Sequence, residues 1–145
     1  MADFLTPVER SQRMSRIRSK DTRPELALRK ILHGLGLRYR LHGAGLPGRP
    51  DLVLPRYKVV VFVHGCFWHR HPGCNIATTP KSNTLFWTTK FQKNVARDRR
   101  AVSELKELGW RVLVVWECEL ASGTKARATG ERIGNLIRSE RPLSG

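Results

Sequence analysis

Five consecutive apolar residues, Val59 to Val63, restrict the fold more than any other stretch of the chain. The run is far too short to cross a membrane. Its residues are apolar at both parities, so a strand over Tyr57 to Val63 needs cover on both faces and a central place in its sheet. Trp110 to Glu117, with Val112 to Trp116 at its centre, is a second β-rich run. Strands of this kind require helices packed on the sheet, and the sequence supplies them. Thr22-Arg23-Pro24-Glu25 has the form of a capping box with an early proline, followed by the stripe Leu26, Leu28, Ile31, Leu32 and Leu35, with Gly34 and Gly36 as the stop. A second helix is expected from Leu85 to Leu108, with Phe91, Val95, Val102, Leu105 and Leu108 on one side and Gly109 after it; Asp98 falls inside that stripe and demands a partner. A weaker helix, Thr124 to Arg138, is interrupted by Gly130 and Gly134. Leu37 to Leu41 and Asp51 to Leu54 read as short strands. The expected class is α/β, a mixed sheet flanked by helices, as one domain over residues 1–145.

Charge narrows the partner. The 145 residues carry 27 Lys plus Arg against 12 Asp plus Glu, a formal charge of +15. Self-repulsion on so small a globule is relieved by a polyanion, and aromatics among the basic residues point to nucleic acid. Thr6-Pro7-Val8-Glu9 opens the basic segment RSQRMSRIRSK, so residues 1–20 are expected to be a basic N-terminal helix or arm, and residues 139–145 a frayed tail. No signal-peptide layout or membrane span is present in the sequence, so an intracellular, cytoplasmic protein is expected.

Cysteine usage favours metal over disulfide. Three cysteines cannot all pair within one chain, whereas Cys66, Cys74 and Cys118 with one histidine form a complete Cys3His set suited to tetrahedral zinc. If the two apolar strands lie side by side, both deliver a cysteine to the same sheet end. Spacing leaves open whether His69 or His71 completes the set.

A second constellation points to phosphodiester chemistry. Pro50-Asp51 at a strand start resembles the acid-anchored sheet of the nuclease group with the PD-(D/E)xK pattern, in which the acid holds Mg2+ against the scissile phosphate. Where that pattern places an acid, a spacer and a lysine, this chain has Phe62-Val63-His64. Neutral imidazoles near pH 7 can take a proton from water, so His64 or His69 is a candidate base.

GRPDLVL, VFVHGCFWHRH, a downstream FW followed by KNVARDRR, and LGWRVLVVWECEL together resemble the very-short-patch-repair (Vsr) DNA mismatch endonucleases, from the basic first helix to about Leu120. The resemblance implies a restriction-endonuclease-like fold with a variant site. It implies a strand-specific nick 5′ to the thymine of a T:G mismatch left by deaminated 5-methylcytosine, in a methylated CC(A/T)GG-type context. It makes Asp51 the Mg2+ ligand beside the main-chain carbonyl of Val63, His69 the general base, His64 a partner for phosphate or water, and Glu25 a supporting acid. Structural Zn2+ falls to Cys66, His71, Cys74 and Cys118, with the His71-to-Cys74 interval one residue longer here. Phe67, Trp68 and Trp87 become intercalating wedges, Met14 a wedge from the opposite groove, and Lys90 and Asn94 contacts to the mismatched bases. Arg97, Arg99 and Arg100 are read as phosphate contacts. The expected partner is duplex DNA bound by a monomer, nucleoid-associated in a bacterial-type cell, with mismatch-repair proteins as further candidates. The competing reading is a zinc-stabilised DNA-binding module without catalysis; a third is a nuclease of the same fold acting on junctions or in restriction.

Overall fold

A computed structural model describes residues 22–139. The elements run α1 (Arg23–Gly34), β1 (Arg40–Leu41), β2 (Leu52–Leu54), β3 (Val59–His64), α2 (Thr84–Glu107), β4 (Arg111–Trp116) and α3 (Gly123–Ser139), with short 3-10 turns at Pro55–Tyr57 and Glu117–Leu120. The four strands form one mixed sheet in the order β1-β2-β3-β4. β2 pairs antiparallel with both β1 and β3, and β4 lies parallel to β3 with Val59 opposite Arg111 and His64 opposite Trp116.

β3 is paired on both edges and covered on both faces, as its unbroken apolar run requires. Val59 and Val61 face a core built with Leu28 and Leu32 of α1 and Ile133 and Ile137 of α3. Val60 and Phe62 face the other way, onto Ala101 and Leu105 of α2. Each fully buried aliphatic side chain contributes roughly 1.5–3 kcal/mol before the entropy of ordering is subtracted. Gly130 and Gly134, inside α3, have a packing reason. A Cβ at Gly130 would stand 2.3 Å from Ile31 Cγ2, and one at Gly134 2.9 Å from Leu35 Cδ1, so their absence lets α1 and α3 approach closely.

Two expectations change in detail. The strand expected over Leu37 to Leu41 shrinks to Arg40–Leu41, because Leu37 is still closing α1: its N–H donates to Leu32 O at 3.1 Å and its side chain is buried. Leu108, expected on the apolar stripe, is 56% exposed, and Trp110 packs against the α2 core instead. No helix among the described residues is long and apolar enough to cross a membrane. Residues 1–20, including Met14, and residues 140–145 of the expected tail lie outside the described residues.

Candidate active site and metal centre

Because β3 and β4 are parallel and in register, the loop after His64 and the turn after Trp116 leave the sheet at the same end. Thr22 and Pro24, at the start of α1, reach that end as well. There they enclose a cleft of about 260 Å3 whose walls include Val63, His64, Trp68, His69, Lys90, Asn94, Arg97 and Glu117. Lys90, Asn94 and Arg97 recur at helical spacing on one side of α2, which is why they share the cleft. Arg100, exposed on α2, does not line it.

His69 Nδ1 stands 2.6 Å from Asp98 Oδ2. An ionised carboxylate only accepts, so Nδ1 carries a proton, and in the neutral ring Nε2 is the nitrogen with the lone pair. This pair supplies the partner that Asp98 required inside an apolar stripe. The ring of His64 stacks on that of His69, with centroids 3.9 Å apart and planes within 7°. Burial above all, then the neighbouring His69, lowers His64 to about 4, so it is neutral near pH 7.

Asp51 joins the same cleft through the backbone. Its Oδ2 accepts the Val63 N–H at 2.6 Å, and Val63 is part of the cleft wall. Burial raises the Asp51 carboxyl to about 7; the Val63 N–H opposes this, and the carboxylate of Glu25 adds to it. Glu25 is 1% exposed, and neither of its oxygens has a hydrogen bond of good geometry among the described residues, although Arg29 Nη2 lies 2.9 Å from Oε2. The Thr22 hydroxyl caps α1 by accepting the Glu25 N–H at 3.4 Å, yet the Glu25 side chain turns inward rather than closing a capping box. Glu25, His42 and Asp51 each place one donor atom within 4.8 Å of the others. A buried carboxylate with unsatisfied oxygens, Glu25, beside the half-buried Asp51 carboxylate and an imidazole fits a divalent cation, which could be held by Asp51 and Glu25.

Cys66, His71, Cys74 and Cys118 also bring one donor atom each within 4.8 Å. His71 Nδ1 is 3.5 Å from Cys66 Sγ and 3.4 Å from Cys118 Sγ. A tetrahedral Zn2+ with ordinary Zn–S and Zn–N lengths needs S···N separations of about 3.6 Å, so the donor set fits. Of the two histidines that spacing left open, His71 stands with the thiols while His69 is engaged by Asp98. The chain from His71 to Cys74 closes in a turn: Gly73 takes φ +71° and Cys74 N–H returns to His71 O at 3.3 Å. Burial pushes the Cys66 thiol up to about 12, whereas Cys74 is lowered, first by the Ile76 N–H.

Two of the three rings that the resemblance makes wedges are enclosed. Trp68 is 7% and Trp87 2% exposed, and with buried Phe91 they form a small core against which Phe67 and Phe86 pack. The physical reason is Phe91, one turn along α2 from Trp87, which gives the loop rings a surface to cover. Phe67 meets Trp68, Trp87 and Phe91 edge-on, at 5.1, 5.9 and 5.1 Å. Lys90 Nζ sits 5.6 Å from the Trp68 ring, and Asn94 Nδ2 donates to Trp68 O at 3.3 Å. Arg99 lines a neighbouring groove with Arg70, Asp98 and Lys106.

Sequence reasoning did not assign roles to Asp98, His42, Arg29 or Glu117. Only Asp98 carried a signal, a charge in an apolar stripe. Glu117 accepts the Cys66 N–H at 2.9 Å and so ties the cysteine loop to the end of β4, a contact between residues 51 apart in sequence.

A family model described as DNA mismatch endonuclease Vsr matches residues 2–75. DNA mismatch endonuclease Vsr of Escherichia coli K12 is 47% identical over 142 residues, covering 97% of this chain and 90% of that protein. The type II nicking enzyme V.XorIIP of Xanthomonas oryzae pv. oryzae is 52% identical over 121 residues, covering 83% of this chain and 88% of that protein. V.NmeAIP of Neisseria meningitidis, another type II nicking enzyme, is 47% identical over 138 residues, 95% and 96% of the two chains. Among solved structures, the catalytic domain of the homing endonuclease I-Bth0305I superposes with a TM-score of 0.53 at 23% identity, covering 82% of this chain and all of that one. That likeness concerns the fold.

Proposed function

The chain belongs to the Vsr family of DNA mismatch endonucleases, and we propose that it hydrolyses one phosphodiester of duplex DNA, nicking 5′ to the thymine of a T:G mismatch with Mg2+. The observation that carries this reading is the His69–Asp98 pair at 2.6 Å beside a cleft that also holds His64 and the Asp51-bound Val63. In this reading the fold is a variant of the restriction-endonuclease type.

His69 Nε2 takes the proton of a water directed at phosphorus, while Asp98 keeps the ring in the required tautomer and balances the imidazolium that forms. The new bond runs from the water oxygen to phosphorus, and the bond to the leaving 3′ oxygen breaks. His64, neutral and stacked on His69, orients the water or a phosphate oxygen. A divalent cation held by Asp51, with the Val63 carbonyl and Glu25 in support, would supply positive charge to the phosphate oxygens as the transition state develops. Lys90 and Arg97 line the same cleft and attract the phosphate backbone, which positions the duplex without reading its sequence. Cys66, His71, Cys74 and Cys118 would hold Zn2+, which would pin the loop carrying His69 to the end of β4.

Mismatch preference comes from the aromatic cluster. Phe67, with Trp68 and Trp87 behind it, opens onto a base step, and a T:G pair lowers the unstacking cost of a few kcal/mol. Lys90 and Asn94 address the exposed bases.

The test is a T:G duplex labelled in either strand, incubated with zinc-loaded protein with Mg2+ added or withheld. A single cut 5′ to the thymine, in that strand only and only with Mg2+, is expected. Tight binding without product under every condition supports instead the zinc-stabilised binding module.

A further inference from the structure

We propose that His42 is a third side-chain ligand of the cation site formed by Glu25 and Asp51, and that its nitrogen shifts that site toward Mn2+ relative to Mg2+. The inference rests on the reading that Asp51 holds the catalytic cation. It extends that reading to a residue that no sequence motif singled out.

The sheet places His42 there. Leu41 is opposite Leu52 across the β1–β2 ladder, so one more residue sets His42 opposite Asp51, and the His42 N–H donates to Asp51 O at 3.0 Å. From that position its ring meets Glu25, with Nδ1 3.8 Å from Oε1. The three side chains bring donor atoms within 4.8 Å of one another.

Charge and hydrogen bonding then point to a cation. Glu25 is 1% exposed, and both its oxygens lack a hydrogen bond of good geometry among the described residues. Among the described residues, the cation placed against this trio is Arg29, whose Nη2 lies 2.9 Å from Glu25 Oε2 and 3.2 Å from His42 Nε2. A guanidinium only donates, so Nε2 is the lone-pair nitrogen of the ring. Arg29 thus bridges a carboxylate oxygen and an imidazole nitrogen, as a metal ion would, but with a single charge for two carboxylates. A divalent ion displacing Nη2 finds both donors already unprotonated. An oxygen-only site suits Mg2+, whereas an imidazole donor favours transition ions, Mn2+ among them.

Mn2+ added to the zinc-loaded protein tests this by pulsed electron paramagnetic resonance. Wild type is expected to show modulation from a directly bound nitrogen, and His42→Gln to lose it, which separates His42 from His64 and His69. In parallel titrations His42→Gln should weaken Mn2+ binding by about tenfold or more, while Mg2+ binding changes by less than about threefold. His42 is half-buried, and an unchanged far-ultraviolet spectrum of the variant will show that its fold is retained. Nitrogen modulation that persists in His42→Gln, or an unchanged Mn2+ to Mg2+ preference, overturns the inference while leaving Asp51 as ligand. Mn2+ binding that survives Asp51→Asn unchanged overturns the cation site itself.

Discussion

A carboxylate within an apolar helix stripe is costly unless something holds it, and Asp98 is held by His69. That one contact converts two unremarkable residues into a candidate base with a fixed tautomer. Asp98→Asn keeps the shape but offers His69 no charge, so kcat for nicking should fall by about 10^2- to 10^4-fold with DNA affinity unchanged, as measured by single-turnover cleavage and fluorescence anisotropy. Asp51 carries the opposite kind of signature, a carboxylate that the fold disfavours. Its pKa rises from 3.8 to about 7, mainly through burial. Below 3.8 the folded and unfolded chains both hold the proton; between 3.8 and about 7 only the unfolded chain ionises, so stability falls as pH rises, and above 7 the loss is complete. Asp51→Asn retains an acceptor for the Val63 N–H and removes the buried charge. Without added Mg2+, its Tm should therefore exceed that of wild type at pH 8, with the gain shrinking as pH falls toward 4. Equal melting curves across that range would show that Asp51 is not strained by its surroundings.

Among the elements, the two apolar β-rich runs were readable, and so was their consequence. Val59 to Val63 and Val112 to Trp116 specify neighbouring strands, and their parallel pairing brings Cys118 to the Cys66 loop. The capped start of α1 was equally readable, because local side-chain chemistry sets it. What could not be read depends on partners distant in sequence. Gly130 and Gly134 look like helix interruptions until Ile31 of α1 and Leu35 just after it are seen against them. Trp68 and Trp87 look like exposed loop and helix-start rings until they are seen in one cluster with Phe91. Their burial divides the aromatic residues by role. Trp87→Ala removes a nearly fully enclosed ring and should cost about 3–5 kcal/mol of stability, seen in urea unfolding. Phe67→Ala should leave folding largely intact and abolish the preference for mismatched over matched duplex, while salt-dependent binding to any DNA remains. A Phe67→Ala protein that still discriminates would place mismatch reading elsewhere.

For the molecule as a whole, the sheet acts as a frame with chemistry at one end. Two strand ends, the start of α1 and the loop before β2 meet there, and the two donor sets divide the work: Glu25 and Asp51 beside the cleft, three cysteines and His71 behind it. His69, the proposed base, and His71, the proposed zinc ligand, are two residues apart, so metal removal should loosen both. Structural zinc in small peptides supplies roughly 10–16 kcal/mol of folding free energy, comparable with the ~5–15 kcal/mol net stability of a whole domain. Cys118→Ser is expected to lose the cooperative thermal transition, and a chelator should do the same to wild type. A metal-free protein that melts like the loaded one would reject the zinc assignment. The charge of +15 belongs to this level too, since it should make binding to any duplex steeply salt-dependent without contributing selectivity.

The most direct measurement compares wild type with Asp51→Asn on a T:G duplex under saturating protein, Mg2+ and fixed zinc, following binding and product in the same samples. The variant should bind the duplex as wild type does and yield no nick. Nicking at the wild-type rate would remove Asp51, and the divalent cation placed on it, from the reaction.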